Sequence, residues 1–292
     1  MNAGALSKVA VAYAWALAVA AACVLGLEAI GWGTLLGRLA VADLAATLVV
    51  FGFSKRWDNS SVYDPYWSVI PIALVAYLVL AAPAGVVGAR GLVVAGLVIA
   101  WGARLTHNWA RGWPGLDHED WRYRDIRAVT GRAYWPASLL GIHLFPTVLV
   151  LLGCLPVIAI LRSPGAPLGW LDGLALLVTA GAIAIEGAAD NALREHVRHR
   201  QRPGETLTEG VWGWSRHPNY FGELSFWWGL WLFGVAAVGL QPWWLVLGAV
   251  SMTLLFNLVS IPMIERRMRT RRADYAAVEA RVSRLIPWFP RR

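Results

Sequence analysis

The sequence predicts an all-α fold: a polytopic membrane bundle of about eight transmembrane helices, both termini cytoplasmic, in a single domain covering residues 1–292. Three observations carry that reading. Hydrophobic residues make up 58% of the chain and charged residues 15%, a balance that water-soluble domains rarely reach. The apolar residues gather in runs of about 20, the length a helix needs to cross the hydrocarbon core while pairing its own backbone groups. Threading those runs through a bilayer leaves 22 of the 26 basic residues on one face, in the N-terminus, the loops 54–67, 111–136 and 194–219, and the tail from 265. Basic loops stay in the cytosol, which sets the orientation.

The first run, 9–30, follows Lys8 and holds "AAAC" up to Cys23, so a secretory signal is its rival reading. A span is favoured because the run is long enough to cross and many more follow. The second, 34–53, carries Arg38 and Asp43, charges that a span tolerates only where they face protein or water. The third, 68–82, is short and follows "NSSVYDPYWSVIP" at 59–71; the fourth, 91–110, runs into "WGARLTHNWARGW" at 101–113. The fifth, 137–161, contains Cys154, too far from Cys23 for a disulfide framework or a zinc cluster, so both cysteines read as packing residues. The sixth, 169–193, ends in "IEGAADNALREH", where Glu186, Asp190 and Arg194 recur at i, i+4 and i+8 on one helix face. That stripe either docks two helices or lines a polar cavity. Pro203 and Gly204 then break the helix. The seventh and eighth runs are 220–238 and 242–264, followed by an arginine-rich tail.

Chemistry concentrates where polar residues meet apolar runs. "SRHPNYFGE", residues 215–223, sets Arg216, His217, Asn219 and Glu223 at the mouth of the seventh run, a costly depth unless they line a wet cavity or hold a ligand. Only Lys8 and Lys55 are lysine; the other basic residues are arginine, whose planar fork grips phosphate. An anionic cytosolic cofactor therefore meets a suitable face. Nucleic acid does not fit, since the basic residues sit in short loops against a bilayer and no nucleic-acid module is visible. "HEDWRYRDIR", 118–127, reads as a solvated, self-paired loop. Its His118, Glu119 and Asp120 lack a second ligand group at metal spacing, so no metal is expected. Arg122, Tyr123 and Arg124 offer faces on which a base can stack.

Asp190 and Arg194 on one helix, "RPGE" at 202–205, "GVWGWSRHPNYFGE" at 210–223 and a basic tail ending "DYAAVEARVSRLIPWFP" together resemble the steroid 5-alpha-reductase superfamily, its uncharacterised bacterial branch in particular. The RHPNY stretch is also similar to that of the sterol C14 and C7 reductases. The resemblance covers roughly residues 40–290. It implies a seven-helix reductase core behind an extra N-terminal helix at 1–33, a cofactor-binding part at 185–292, and an NADPH pocket facing the cytoplasm from a bacterial inner membrane. It further implies a cofactor shell of Glu186, Asp190, Arg194, Trp214, Arg216, His217, Asn219, Tyr220, Glu223 and Arg266.

The family's polarising acid corresponds best to Asp64, and its partner tyrosine falls at Asn108, so the tyrosine is missing. Hydride delivery to an electron-poor carbon needs a hydrogen-bond donor on the substrate oxygen. Asp64 kept protonated can donate, as can Tyr63, Tyr66 or His107; the catalytic candidates are Asp64, Tyr66, His107 and Asn108. "YDPYW" also fits an interfacial aromatic belt with a proline turn. The implied activity is NADPH-dependent reduction of a conjugated C=C bond in a lipophilic steroid-, sterol- or isoprenoid-like enone, with membrane lipids and that small molecule as partners. The alternative is an S-adenosylmethionine-dependent methyltransferase of the isoprenylcysteine carboxyl type, which shares an "RHPxYxG" stretch. There an apolar residue usually follows the glycine; here it is Glu223.

Overall fold

The computed structural model describes residues 3–163, 165–199 and 204–291. Helix accounts for 79% of it, and no strand occurs among the described residues. The helices are α1 (Ala3–Ala29), α2 (Leu35–Arg56), α3 (Tyr66–Leu80), α4 (Ala89–Gly112), α5 (Trp121–Thr130), α6 (Tyr134–Ala137), α7 (Phe145–Gly153), α8 (Leu155–Arg162), α9 (Trp170–His199), α10 (Pro218–Val238), α11 (Leu247–Leu255), α12 (Ile261–Arg271) and α13 (Tyr275–Arg281). They build eight rods long and apolar enough to cross a membrane, as the eight runs predict, and the chain is an integral membrane protein.

Two rods change pitch partway. Ser138–Leu144 and Phe256–Ser260 are π-helical. Each lies just ahead of a proline, Pro146 and Pro262. Proline brings no N–H and its ring presses on the carbonyl four residues back, and widening the turn relieves both problems.

The chain forms two compact units, Met1–Leu80 with Val98–Leu152, and Ala81–Leu97 with Gly153–Arg292. In the first, α1 packs along α2. Thr34 caps α2 by accepting from the Gly37 amide at 3.2 Å. The charges that troubled the second run both have partners: Arg38 Nη1 lies 3.8 Å from Glu28, and Asp43 accepts from Tyr66 Oη at 2.8 Å. The third rod begins at Ser60, eight residues before the apolar run, because Ser60, Ser61 and Tyr63 bury their hydroxyls in hydrogen bonds, Ser61 Oγ accepting from the Asp120 amide at 2.8 Å. The 118–127 segment departs from expectation. It is not a self-paired loop: Trp121–Thr130 is helical, and its charges dock on 58–64, with Glu119 accepting from the Ser60 amide at 2.8 Å and Arg127 bridging to Asp58 at 2.8 Å. Within the segment Arg122 pairs with Asp120 at 2.8 Å, and Arg127 also reaches Glu119 at 3.4 Å.

In the second unit α9 and α10 form the longest seam. Gly222 makes it close: a Cβ there would stand 2.8 Å from the Ala182 carbonyl and 2.7 Å from Glu186 Cβ. Gly229, two turns on, would meet Thr179 in the same way. At the far end Arg90 binds both oxygens of Asp172, at 2.6 and 2.9 Å, and the carbonyls of Ala166 and Pro167. A fork-on-fork pair with two further donors placed on carbonyls is the arrangement in which a buried charge is tolerable.

Candidate functional site

The 210–223 stretch is shaped before it reaches the membrane. Gly210 has φ +55, a conformation that disfavours side chains, and opens a single 3-10 turn over Gly210–Gly213. That turn points Trp212 at α9, where its indole donates to the Ala189 carbonyl at 3.0 Å. Pro218 takes the first position of α10, where its missing N–H costs nothing. His217 and Arg216 are left just ahead of the helix.

Both converge on Glu265, a carboxylate only 4% exposed. Arg216 donates to its Oε1 through Nη2 at 2.7 Å and Nε at 3.1 Å, and His217 Nε2 lies 3.2 Å away. Arg216 Nη1 reaches the carbonyls of Glu279 and Val282 at 3.1 and 3.0 Å. Four hydrogen bonds therefore occupy a side chain with five N–H donors. Arg216 braces the tail against the helix mouth.

Beside this brace opens a cleft of about 110 Å³, lined by Leu193, Trp212, Asn219, Tyr220, Arg272 and Tyr275, with Arg216 and His217 in its wall. Asn219 also reaches Asp190 at 3.5 Å. Tyr220 stacks on His217 at 5.5 Å and meets Phe256 edge-on at 4.8 Å. Burial, helped by the nearby Glu265 charge, pushes the Tyr275 phenol up to about 12, so it stays an O–H donor at neutral pH. The cleft's outer edge is tied by Asp274. Burial works to raise its carboxyl, but bonds from Thr206 Oγ1 at 2.6 Å and Thr206 N at 3.0 Å overcome this and hold it below the ordinary range.

The first unit holds a second polar cluster, built on 59–66. Asn59 caps the 3-10 turn Ser60–Tyr63 and donates to the carbonyls of Leu116 and His118 at 2.7 and 2.9 Å. Ser60 Oγ joins Tyr134 Oη at 2.6 Å and Ser138 Oγ at 2.9 Å. His143, wholly buried in the π-helical turn, has Ser138 O 3.0 Å from Nδ1 and Ser54 Oγ 3.1 Å from Nε2. Tyr123 donates to Asp64 in a short hydrogen bond.

Of the residues singled out in the sequence, Arg216, His217, Asn219 and Tyr220 meet at one cleft and Asp190 adjoins it. Glu186 and Glu223 are buried on α9 and α10, Glu223 accepting from the Trp227 indole at 2.7 Å. Arg194 is half-buried on α9, four residues beyond Asp190. Trp214 is exposed and packs on Phe289 at 6.1 Å; Arg266 is exposed. Tyr66 donates to Asp43 and lies against Tyr63, while His107 is exposed and Asn108 accepts from Arg111 at 2.8 Å. Arg202 and Pro203 of the expected turn fall outside the described residues.

Three features escaped sequence reasoning. Glu265 is the only acid between Glu223 and Asp274, a lone carboxylate among arginines, and that isolation was a readable signal. The Asp64 to Tyr123 pairing joins segments 59 positions apart and had none. Trp109 and Trp113 stack at 4.9 Å, their buried indole N–H groups having no acceptor among the described residues.

A family model described as "Protein of unknown function (DUF1295)" matches residues 50–282. The uncharacterized protein C594.04c of Schizosaccharomyces pombe is 27% identical over 218 residues, covering 67% of this chain and 63% of that protein. The chain thus spans less than two thirds of that relative's length. No solved structure matches.

Proposed function

The chain belongs to the DUF1295 family, and on that footing we propose that it is a membrane-embedded, NADPH-dependent reductase of a conjugated C=C bond in a lipophilic enone, working at the cytoplasmic face of a bacterial inner membrane. The observation that carries the reading is the 210–223 stretch: its Asn219 and Tyr220 line a cleft with two aromatic faces and an arginine. This donor set suits a nucleotide. Asn219 has the paired donor and acceptor that a carboxamide needs, Trp212 and Tyr275 offer rings for stacking, and Arg272 offers a fork to phosphate. Arg216 is assigned a different task from the one its charge first indicates, holding the wall through Glu265.

The reaction adds a hydride and a proton across the double bond, and the hydride is what NADPH supplies when bound. The chain's own part is to polarise the substrate oxygen. Tyr123 and Asp64 supply an acid and a tyrosine in contact, the combination missing at Asn108. The paired carboxyl and phenol can share one proton and present it to a developing oxyanion.

Calorimetry on the detergent-purified protein tests the class. NADPH is expected to bind more tightly than NADH, and Asn219→Ala to weaken it by tenfold or more, consistent with loss of about 1.4 kcal/mol or more. Binding of S-adenosylmethionine without NADPH would transfer the chain to the methyltransferase class.

A further inference from the structure

We propose that the C-terminal segment 275–291 is an interfacial anchor whose aromatic tip sits in the headgroup boundary of an anionic leaflet, the arginines beside it binding lipid phosphate. The argument starts from length. The rod Trp243–Arg271 has 29 residues, about 43 Å of helix, against a hydrocarbon core of about 30 Å. With Trp243 and Trp244 exposed at one end as a belt, the core ends near Pro262, and the polar remainder "ERRMRTR" stands out of it.

The tail then turns back along this protruding part. Arg284 donates to the Asn257 carbonyl at 3.2 Å and lies 3.6 Å from Glu265, which returns the chain to the level where the core ends. There Ile286, Trp288 and Phe289 are 65%, 70% and 76% exposed, with Trp214 beside Phe289. A cluster of that kind in water would be an aggregation hazard; at a membrane boundary it is the usual place for aromatic side chains.

Charge names the occupant. From 280 to 291 the chain holds Arg281, Arg284 and Arg291, all exposed, and no acid. Basic residues beside an inserted aromatic wedge draw anionic headgroups. The tip is also rigidly mounted: Trp288 N donates to Trp214 O at 2.9 Å, Arg216 N to Ser283 O at 2.8 Å, and Ser215 Oγ to Leu285 O at 2.7 Å. Tyr275 and Val278 of the same segment line the cleft, so leaflet composition acts on the cleft wall through this strap.

The test uses the full chain in nanodiscs of phosphatidylcholine with and without phosphatidylglycerol. An environment-sensitive fluorophore is placed on Phe289→Cys, or on Ala276→Cys as the water-exposed control, with Cys23 and Cys154 replaced by serine. The label at 289 is expected to be blue-shifted, quenched several-fold more by doxyl lipids than the label at 276, and shielded from iodide. Hydrogen exchange on the unsubstituted chain gives a readout free of labels: amides of 283–291 should exchange several-fold more slowly with phosphatidylglycerol present, an effect that high salt removes. Equal iodide quenching at 289 and 276 overturns insertion, and exchange indifferent to phosphatidylglycerol overturns the headgroup assignment.

Discussion

The carboxyl of Asp64 accepts from Tyr123 across 59 positions of sequence, while the nearer hydroxyl of Tyr66 is committed to Asp43. On the proposed function, Asp64 is the carboxylate that polarises the substrate oxygen, with Tyr123 positioning its proton. Asp64→Ala is expected to lower the turnover of a lipophilic enone by a hundredfold or more while NADPH binding by calorimetry is unchanged. Asp64→Asn should retain part of the rate because an amide still donates, and Tyr123→Phe should fall between them. Full activity in Asp64→Ala would remove the pair from the chemistry. The reason the pairing of Tyr123 with Asp64 could not be found in advance is specific: "WRYRDIR" has the composition of a solvated loop, which offered Tyr123 only as a stacking face, and the docking of its helix onto 58–64 turns its phenol inward.

At the scale of elements, the α9–α10 seam depends on two positions without side chains. At Gly222 the clashing atoms include backbone, the Ala182 carbonyl at 2.8 Å and the Glu186 amide at 3.0 Å, so neither neighbour can rotate away. Gly222→Ala should cost about 1–3 kcal/mol of overpacking, seen as a lower unfolding temperature in detergent. Gly96→Ala on α4 is the control, since nothing lies within 4 Å of its added methyl and a helix interior gains from losing glycine. Equal losses at the two sites would mean that helix contact does not set the seam. The length of the apolar runs made the existence and order of the rods legible, because lipid demands about 20 apolar residues per crossing. Their polar ends were not, since residues such as Ser60 or Arg269 extend a helix only once partners have been found for them, as Glu119 is for Ser60 and Glu279 for Arg269.

For the molecule as a whole, class and rod number followed from composition, whereas the candidate site was half legible. Arg216, His217, Asn219 and Tyr220 announce themselves as polar residues at the mouth of an apolar run. What they do depends on Glu265, and nothing in local sequence says that Arg216 faces a carboxylate 49 positions away. Composition likewise places arginines on one side of the chain but not which of them are neutralised.

The brace around Glu265 has a further consequence in kinetic terms. Three guanidiniums, Arg216, Arg269 and Arg284, surround two carboxylates, Glu265 and Glu279, leaving an excess positive charge beside the cleft and more arginines along the same stretch of chain. A fixed excess of one sign draws oppositely charged solutes from a distance and raises their encounter rate, over a range that shrinks to about 8 Å at physiological ionic strength. NADPH association measured by stopped flow is therefore expected to slow by about tenfold from low to physiological salt while its dissociation rate barely moves. Arg269→Gln, at an exposed position outside the cleft lining, should flatten that salt dependence. An association rate indifferent to salt would mean the excess charge plays no part in capture. On the proposed function, what serves in the folded chain as a mechanical brace would also act, at longer range, as the means by which an anionic cofactor finds the cleft.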